Sequence, residues 1–265
     1  LGQLNDKQKL ALFNKLQENL INKDIMIYLK DNDLENYLQI WGLGGEIYST
    51  ILDTNVDYLA VVNANVAGGK SDAFIKQDII LRSRIDERGA VTNDLTIKRD
   101  HRGADEEDWW YRATNKNYLQ VLTSRDASLQ SISGGVYKVA PVFSKIGYQA
   151  DTELKAIEGT AMLLKNGVVE EFYQFGKKTF ATWLDVPVGK QKQINLKYQR
   201  DNVIKVADGE RYQFVFDKQS GVESDLEINI EAPSGYKWRE NNSDTFTYKT
   251  SSVPGRLILD LTLTK

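Results

Sequence analysis

Beyond about residue 76 the apolar residues stop recurring at helical spacing and begin to alternate, and this change of period restricts the possible folds more than any other feature. Ile79, Leu81 and Ile85 lead into a turn at Asp86 to Gly89, and Val91, Leu95 and Ile97 lead out of it, which predicts a β-hairpin. Strand-like runs follow at Tyr118 to Thr123, Glu153 to Lys165, Val168 to Phe175, Thr179 to Val186, Gln193 to Tyr198, Tyr212 to Phe216, Leu226 to Ile230, Thr245 to Tyr248 and Leu257 to Leu263. Asn166-Gly167, Pro187 to Gly189, Asp208-Gly209, Ser220-Gly221, Pro233 to Gly235 and Pro254-Gly255 punctuate them as turns. Short strands with regular turns and no helical pattern between them predict an antiparallel sandwich or barrel over residues 77–265, with a β-sandwich, immunoglobulin-like or larger, as the expected form.

Residues 1–76 read differently. Leu4, Leu10, Leu12, Phe13, Leu16, Leu20 and Ile21 recur at helical spacing, with Asn5 or Asp6 placed to cap the first turn. Ile25 to Leu29 is a short β-type run, Asp31 to Trp41 a second helix stopped by Gly42, Gly44 and Gly45, and Tyr58 to Asn63 a strand. The fold class expected is therefore α+β, a small mixed α/β region followed by the sandwich. No Pro-rich linker separates the two, so they are expected to pack together.

Net charge narrows the partners. With 34 basic and 37 acidic residues there is no broad cationic field for nucleic acid or anionic lipid. The absence of cysteine removes disulfides and every thiolate site. No run approaches the roughly 20 apolar residues that span a bilayer, and no signal peptide opens the sequence. A start at Leu1 rather than methionine gives the expectation of a chain cut from a longer one.

The stretch Asp57 to Phe74, DYLAVVNANVAGGKSDAF, holds the densest set of candidate site residues. Ala64 to Ser71 satisfies a relaxed phosphate-loop pattern, in which backbone amides cradle phosphates, the lysine reaches the outer ones and the hydroxyl holds magnesium. A phosphate loop must also launch a long helix, and only Asp72 to Gln77 precede the alternating hairpin. The competing reading is a tight turn between strands with Lys70 and Asp72 solvated. Asn63, Asn65, Lys70 and Asp72 are the candidate ligand-binding residues.

The same stretch carries a family resemblance. Tyr58-Leu59-Ala60-Val61-Val62-Asn63-Ala64-Asn65, followed by Gly68-Gly69-Lys70-Ser71-Asp72, resembles the signature of a bacterial domain-of-unknown-function family, numbered four-zero-one-two. Asp24-Ile25 with Tyr28, Asp33-Leu34 and Trp41-Gly42 resemble its upstream segment, and Asn117 to Val121 a later strand. The resemblance implies an extracytoplasmic protein anchored in the membrane by an N-terminal helix. Its upstream half would be distantly similar to the LytR-CpsA-Psr phosphotransferases that attach glycopolymers to cell walls. On that footing this chain is the C-terminal part, without the upstream catalytic arginines.

Elsewhere the chemistry is sparser. Asp100 to Trp110, DHRGADEEDWW, gathers five acids, the single histidine and two tryptophans. Four of the acids are consecutive, unlike the alternating oxygen ligands of a calcium loop, so a solvated acidic loop is expected. His101 beside Asp100 and Asp105 is the sole nitrogen candidate for a metal or a Ser-His-Asp arrangement, and no nucleophile-elbow motif accompanies it. Trp109 and Trp110 are candidates for stacking on a sugar, because aromatic faces combine apolar area with a polar rim. Phe172, Tyr173, Phe175 and Trp183 read as packing. No catalytic set, metal site or cofactor is expected. The functional expectation is an extracytoplasmic cell-envelope module, structural or ligand-presenting, whose partner is an envelope glycan or another surface protein. The alternative is a phosphotransferase-like site, completed by the upstream half, in which Asn63, Asn65 and Lys70 contact a glycan phosphate. A nucleotide phosphate loop is a second alternative.

Overall fold

The computed structural model describes residues 5–40, 43–48, 56–67, 69–138, 149, 151–164 and 167–265. Leu1, Leu4, Trp41, Gly42, Gly68, Lys165 and Asn166, named above, lie outside them. The larger sheet runs, edge to edge, β12 (Lys237–Trp238), β14 (Arg256–Thr264), β10 (Arg211–Asp217), β1 (Val56–Asn65), β4 (Asn115–Thr123), β8 (Lys177–Val186), β7 (Val169–Gln174) and β6 (Met162–Leu164). The second runs β13 (Thr245–Thr250), β11 (Ser224–Glu231), β2 (Ile75–Ile85), β3 (Val91–His101), β9 (Gln191–Arg200) and β5 (Ser128–Ser133). Side chains from both sheets meet in one apolar core, so the expected α+β class with a β-sandwich holds.

Two features differ from the expectation. The sheets are mixed rather than antiparallel throughout, because β1 pairs in parallel with β10 and β2 with β11. Val56–Asn65 is also no part of a separate N-terminal region, since β1 lies inside the larger sheet between β10 and β4. Its burial explains the placement. Leu59 and Val61 face the inter-sheet core, while Val56, Tyr58 and Ala60 form a second cluster on the outer face with Leu122 and Val215. A strand apolar on both faces needs cover on both, which the second sheet on the inside and a strap at Ile47 and Tyr48 on the outside provide.

The inter-sheet space is apolar only in its middle. Along β2 the inward residues are Gln77, Ile79, Leu81, Ser83 and Ile85, and opposite them on β3 stand Arg99, Ile97, Leu95, Asn93 and Val91. Polar pairs therefore flank an apolar centre. At the Ser83 end, the fully buried Asp57 accepts from Asn93 Nδ2 (3.1 Å), Tyr212 Oη (3.1 Å), its neighbour's amide Tyr58 N (3.0 Å) and Arg200 Nη1 (3.4 Å). Arg200 also reaches Asp126, with Nε to Oδ1 at 2.7 Å. The far end holds the site described below.

The N-terminal segment is an arm on the outer side of the larger sheet. Helix α1 (Asp6–Ile21) starts at a capping box between Asn5 and Gln8, and α2 (Asn32–Ile40) follows; neither buries a residue. Ile25 to Leu29, expected as a strand, pairs with none among the described residues, and Ile27 N bonds only to Leu43 O (3.2 Å). What fastens the arm is a buried charge cluster. Asp217 accepts from Lys23 Nζ (3.1 Å), Arg256 Nε (2.7 Å), Tyr48 N (3.0 Å) and Tyr58 Oη (3.0 Å), and Arg256 also holds Glu46 (2.8 Å). Burial alone would push the Asp217 carboxyl up, but Arg256 and Lys23 hold it below its usual range.

Three local assignments change. Glu153 to Lys165 is not one strand: Asp151 caps two amides of helix α3 (Thr152–Glu158), which its Leu, Lys, Ala and Glu favour, and only β6 is extended. β5 and β12 lacked a clean apolar alternation and were not expected. The hairpin turn after β2 is as expected, and Gly89 is obligatory there: its φ is +78°, and a Cβ would lie 1.8 Å from Ile204 O.

Two expectations follow. Arg200→Met leaves Asp57 buried with neutral partners only, so urea unfolding should show a loss of about 3–5 kcal/mol. Burial draws the Lys177 ammonium, 4.1 Å from the Tyr58 ring centre, down to about 8 from 10.5, against the opposing pull of Asp217. Between those values the unfolded chain binds the extra proton, so stability should rise with pH across that window and be lost again as pH falls through 8. Lys177→Met should flatten this rise relative to the wild type.

Candidate functional site

Where β10 peels away from β1, a side chain takes over the pairing. The β1–β10 ladder ends at Ala60 and Asp217, and beyond it Gln219 accepts from Asn63 N (2.8 Å) and donates to Asn63 O (2.9 Å), as a strand backbone would. Asn63 Oδ1 accepts from Asn117 Nδ2 (3.0 Å), while the buried Asn117 Oδ1 has no partner. The chain then turns back over the end of the sandwich. Asn65 Nδ2 donates to Gly69 O (3.3 Å) and Ser71 Oγ (3.2 Å), and its Oδ1 accepts from Lys116 N (3.1 Å). Gly69, at φ +63°, passes so close to Trp110 that a Cβ would stand 2.5 Å from its carbonyl.

This turn delivers Asp72 to Arg99. The guanidinium projects inward from β3, fully buried, and donates to Gln77 Oε1 (2.9 Å), Asp72 Oδ1 (3.0 Å) and Asn115 Oδ1 (3.3 Å), leaving Nε without a partner. Asn115 Nδ2 donates to the same Asp72 oxygen (2.8 Å) and to Ser71 Oγ (3.1 Å), and Gln77 Nε2 reaches Ser224 Oγ (3.1 Å). Burial lowers the Arg99 pKa to about 10 while Asp72 opposes the shift, so the group is cationic at neutral pH. Asp72 itself is half-exposed. It lines a recess of about 340 Å³ walled also by Asn63, Ala73, Ile75, Arg99 and the β10–β11 loop from Gln219 to Glu223.

The recess gathers hydrogen-bonding side chains. Its polar groups brace one another, and no nucleophile in it has a base beside it. A larger groove of about 690 Å³ at the opposite end, between the Arg84–Arg88 turn and Glu231–Tyr236, rests on the exposed Arg84–Glu231 pair and lacks such a buried cation.

The candidate residues from sequence separate here. Asn63 and Asp72 line the recess, and Asn65 holds the turn that carries Asp72. Lys70 is exposed outside it; its amide donates to Trp110 O (2.9 Å), and its ammonium has no partner among the described residues. The phosphate-loop geometry is absent: Ser71 is buried and bonded, Ser71–Phe74 makes one 3-10 turn, and β2 begins at Ile75. Trp109 and Trp110 stand edge to face (centroids 5.9 Å, 75°), Trp110 against Tyr111 and Tyr111 against Phe74. They form no flat shared platform and do not line the recess, although Trp109 is 68% exposed. His101 is buried; Nδ1 accepts from Gly103 N (3.2 Å), so Nε2 carries the proton and donates to Ala113 O (3.0 Å). Both nitrogens are occupied, and the neighbouring acids are mostly exposed, as expected of a solvated loop. Among the described residues no three His, Asp or Glu side chains come together as metal ligands.

Arg99, Gln77, Asn115, Asn117 and Gln219 were not foreseen. The signal for the first four was present as polar residues at the inward phase of otherwise apolar alternation. Gln219, in a loop 156 positions from Asn63, gave none.

No protein-family model and no curated protein sequence matches the chain. Among solved structures it is similar to a proposed nutrient binding protein of Legionella pneumophila (TM-score 0.40, 10% identity, covering 78% of this chain and 71% of that one). It is also similar to yeast leukotriene A4 hydrolase in complex with bestatin (0.36, 10%, covering 71% and 29%) and to an M1 zinc metallopeptidase of Deinococcus radiodurans (0.26, 9%, covering 69% and 41%). Likeness at this level transfers neither ligand nor chemistry, so the site is read from its own residues.

Arg99→Met should cost about 1–3 kcal/mol in urea unfolding, because it orphans Gln77, Asn115 and Asp72 together. Lys70→Ala, outside the network, should stay within about 0.5 kcal/mol of wild type.

Proposed function

We propose that the protein is a non-enzymatic β-sandwich module that presents the Asn63–Asp72–Arg99–Gln219 recess to a polar ligand, as part of an extracytoplasmic cell-envelope protein. The observation that carries the binding role is the buried, cationic Arg99 held by side chains of two strands and a turn at the floor of an open cavity. Burying a guanidinium is expensive, and a chain that needed only stability would do as well with well-packed apolar residues in place of Arg99 and its polar partners together. Support for the envelope setting comes from the signature-like run Tyr58 to Asp72, so the partner expected is an envelope glycan or another surface protein. On the same resemblance, membrane attachment would be through an N-terminal helix.

A second reading draws on Lys70. Its exposed ammonium, without a partner among the described residues, suits neutralising a glycan phosphate at the edge of a transferase site that the upstream half would complete. In the full-length protein, unchanged glycopolymer attachment after Lys70→Ala would remove it.

For the first reading, backbone NMR during titration with polar envelope fragments should show shifts centred on Asn63, Ala73 and Glu223. Glu223→Ala, at the recess wall and outside the Arg99 network, should weaken them while the sandwich stays folded. Hydrolase or transferase turnover by this chain, lost with Lys70→Ala or Asp72→Ala, would overturn it.

A further inference from the structure

The recess has a neighbour. On the other side of the β10–β11 loop lies a cavity of about 480 Å³, bounded by Asn22 and Asp24 of the arm, Lys76, Lys218 and the serines at 251 and 252. Gly221, Val222 and Glu223 line both spaces, so one thin loop is their common wall. Each volume falls within the roughly 300–1,000 Å³ usual for small-molecule sites. Gly221 stands in the left-handed region (φ +73°) with no atom within 4 Å of where a Cβ would be, so the wall is open around its tip.

Charge across the pair of cavities is balanced. Arg99, Lys76 and Lys218 face Asp72, Asp24 and Glu223, three cations against three carboxylates. The cations are also already engaged: Arg99 with Asp72 at 3.0 Å, Lys76 with Asp225 at 2.9 Å, Lys218 with Asp24 at 3.8 Å. An ionic ligand would have to displace one of these partners and leave a charge exposed to no advantage. What stays available is a mosaic of single donors and acceptors. Each ammonium keeps N–H groups beyond its one carboxylate, Asp72 keeps an oxygen, and Glu223 has no partner among the described residues. The amides from Gln219 to Glu223 likewise donate to nothing there. Small apolar faces at Ile75, Val222 and Val253 lie between them.

We infer that the two cavities are adjoining subsites for one elongated, uncharged polyhydroxyl ligand, a neutral glycan chain that crosses the Gly221–Glu223 wall. This rests on the binding role proposed above for the recess and adds the class of ligand and the second subsite. A hydroxyl both donates and accepts, so a chain of them matches alternating lone donors and carboxylate oxygens, while ring C–H faces fit the small apolar patches. The second subsite includes the root of the arm. Ser220 Oγ donates to Lys23 O (2.6 Å), so the same loop that divides the cavities is tied to the arm, and a bound chain would span arm and sandwich.

The test is calorimetry and backbone NMR with maltotetraose, cellotetraose and N-acetylated chitotetraose, their monosaccharides, tetragalacturonate and inorganic phosphate. At least one neutral tetrasaccharide should bind and shift amides on both sides of the wall, near Asn63 and near Ser252, with its monosaccharide at least about tenfold weaker. Glu223→Ala and Lys218→Met should each weaken binding by about tenfold without lowering the unfolding midpoint appreciably, the loss expected of one hydrogen bond to a charged group. Tighter binding of tetragalacturonate or phosphate, or shifts confined to one cavity, overturns the inference and leaves the recess standing as a site for another ligand. If no probe shifts either cavity, both the inference and the binding role beneath it fall.

Discussion

Burying charge between two sheets is the constraint on which the rest of this structure depends. Asp57 at one end of the interior and Arg99 at the other are each fully enclosed, and an enclosed ion is tolerated only with a counter-ion and hydrogen bonds to most of its polar atoms. That demand selects inward polar residues of five strands and one turn residue. Asn93, Arg200 and Tyr212 answer Asp57, whereas Gln77, Asn115 and Asp72 answer Arg99. Between them Leu59, Val61, Ile79, Leu81, Leu95 and Ile97 are free to pack as an ordinary core.

The two ends use the same device to different effect. Around Asp57 the sandwich is sealed, so its polar network serves register: a one-residue slip would point Asp57 outward and bring its neighbours into the core. Around Arg99 the sheets part, because β10 leaves β1 after Asp217 and the Gly69–Phe74 turn cannot close the gap. Gln219 patches the backbone of Asn63 and the opening remains as the recess. A third network, around Asp217 on the outer face, pins the arm by its root and strap while its helices stay exposed.

Much of the β architecture was legible because strand patterning is a local property. The alternation in Val91–His101 and the Asp86–Gly89 turn needed no knowledge of their neighbours. β1 was legible as a strand but not as an inner one, since a continuous apolar run looks alike in a small α/β region and in a sheet covered on both faces. Glu153 to Lys165 misled for a related reason: its short apolar run was overridden by the Asp151 cap and good helix formers. The Ala64–Ser71 pattern shows how little a motif means without its context, as Ser71 spends its hydroxyl on Asn65 and Asn115.

The sequence by itself determined the period of each strand, the positions of most turns, the capping of α1, and that Asn63, Asn65 and Asp72 lie close in the chain around a glycine turn. Those are short-range facts, set by φ/ψ preferences and by which face of a strand is apolar. Tertiary structure alone decided that Arg99 would meet Asp72, that Gln219 would stand in for a missing strand, and that Lys70 would be left outside. The first pairing spans 27 residues and the second 156, and such distances are closed by sheet order and parallel crossovers, which no local pattern encodes.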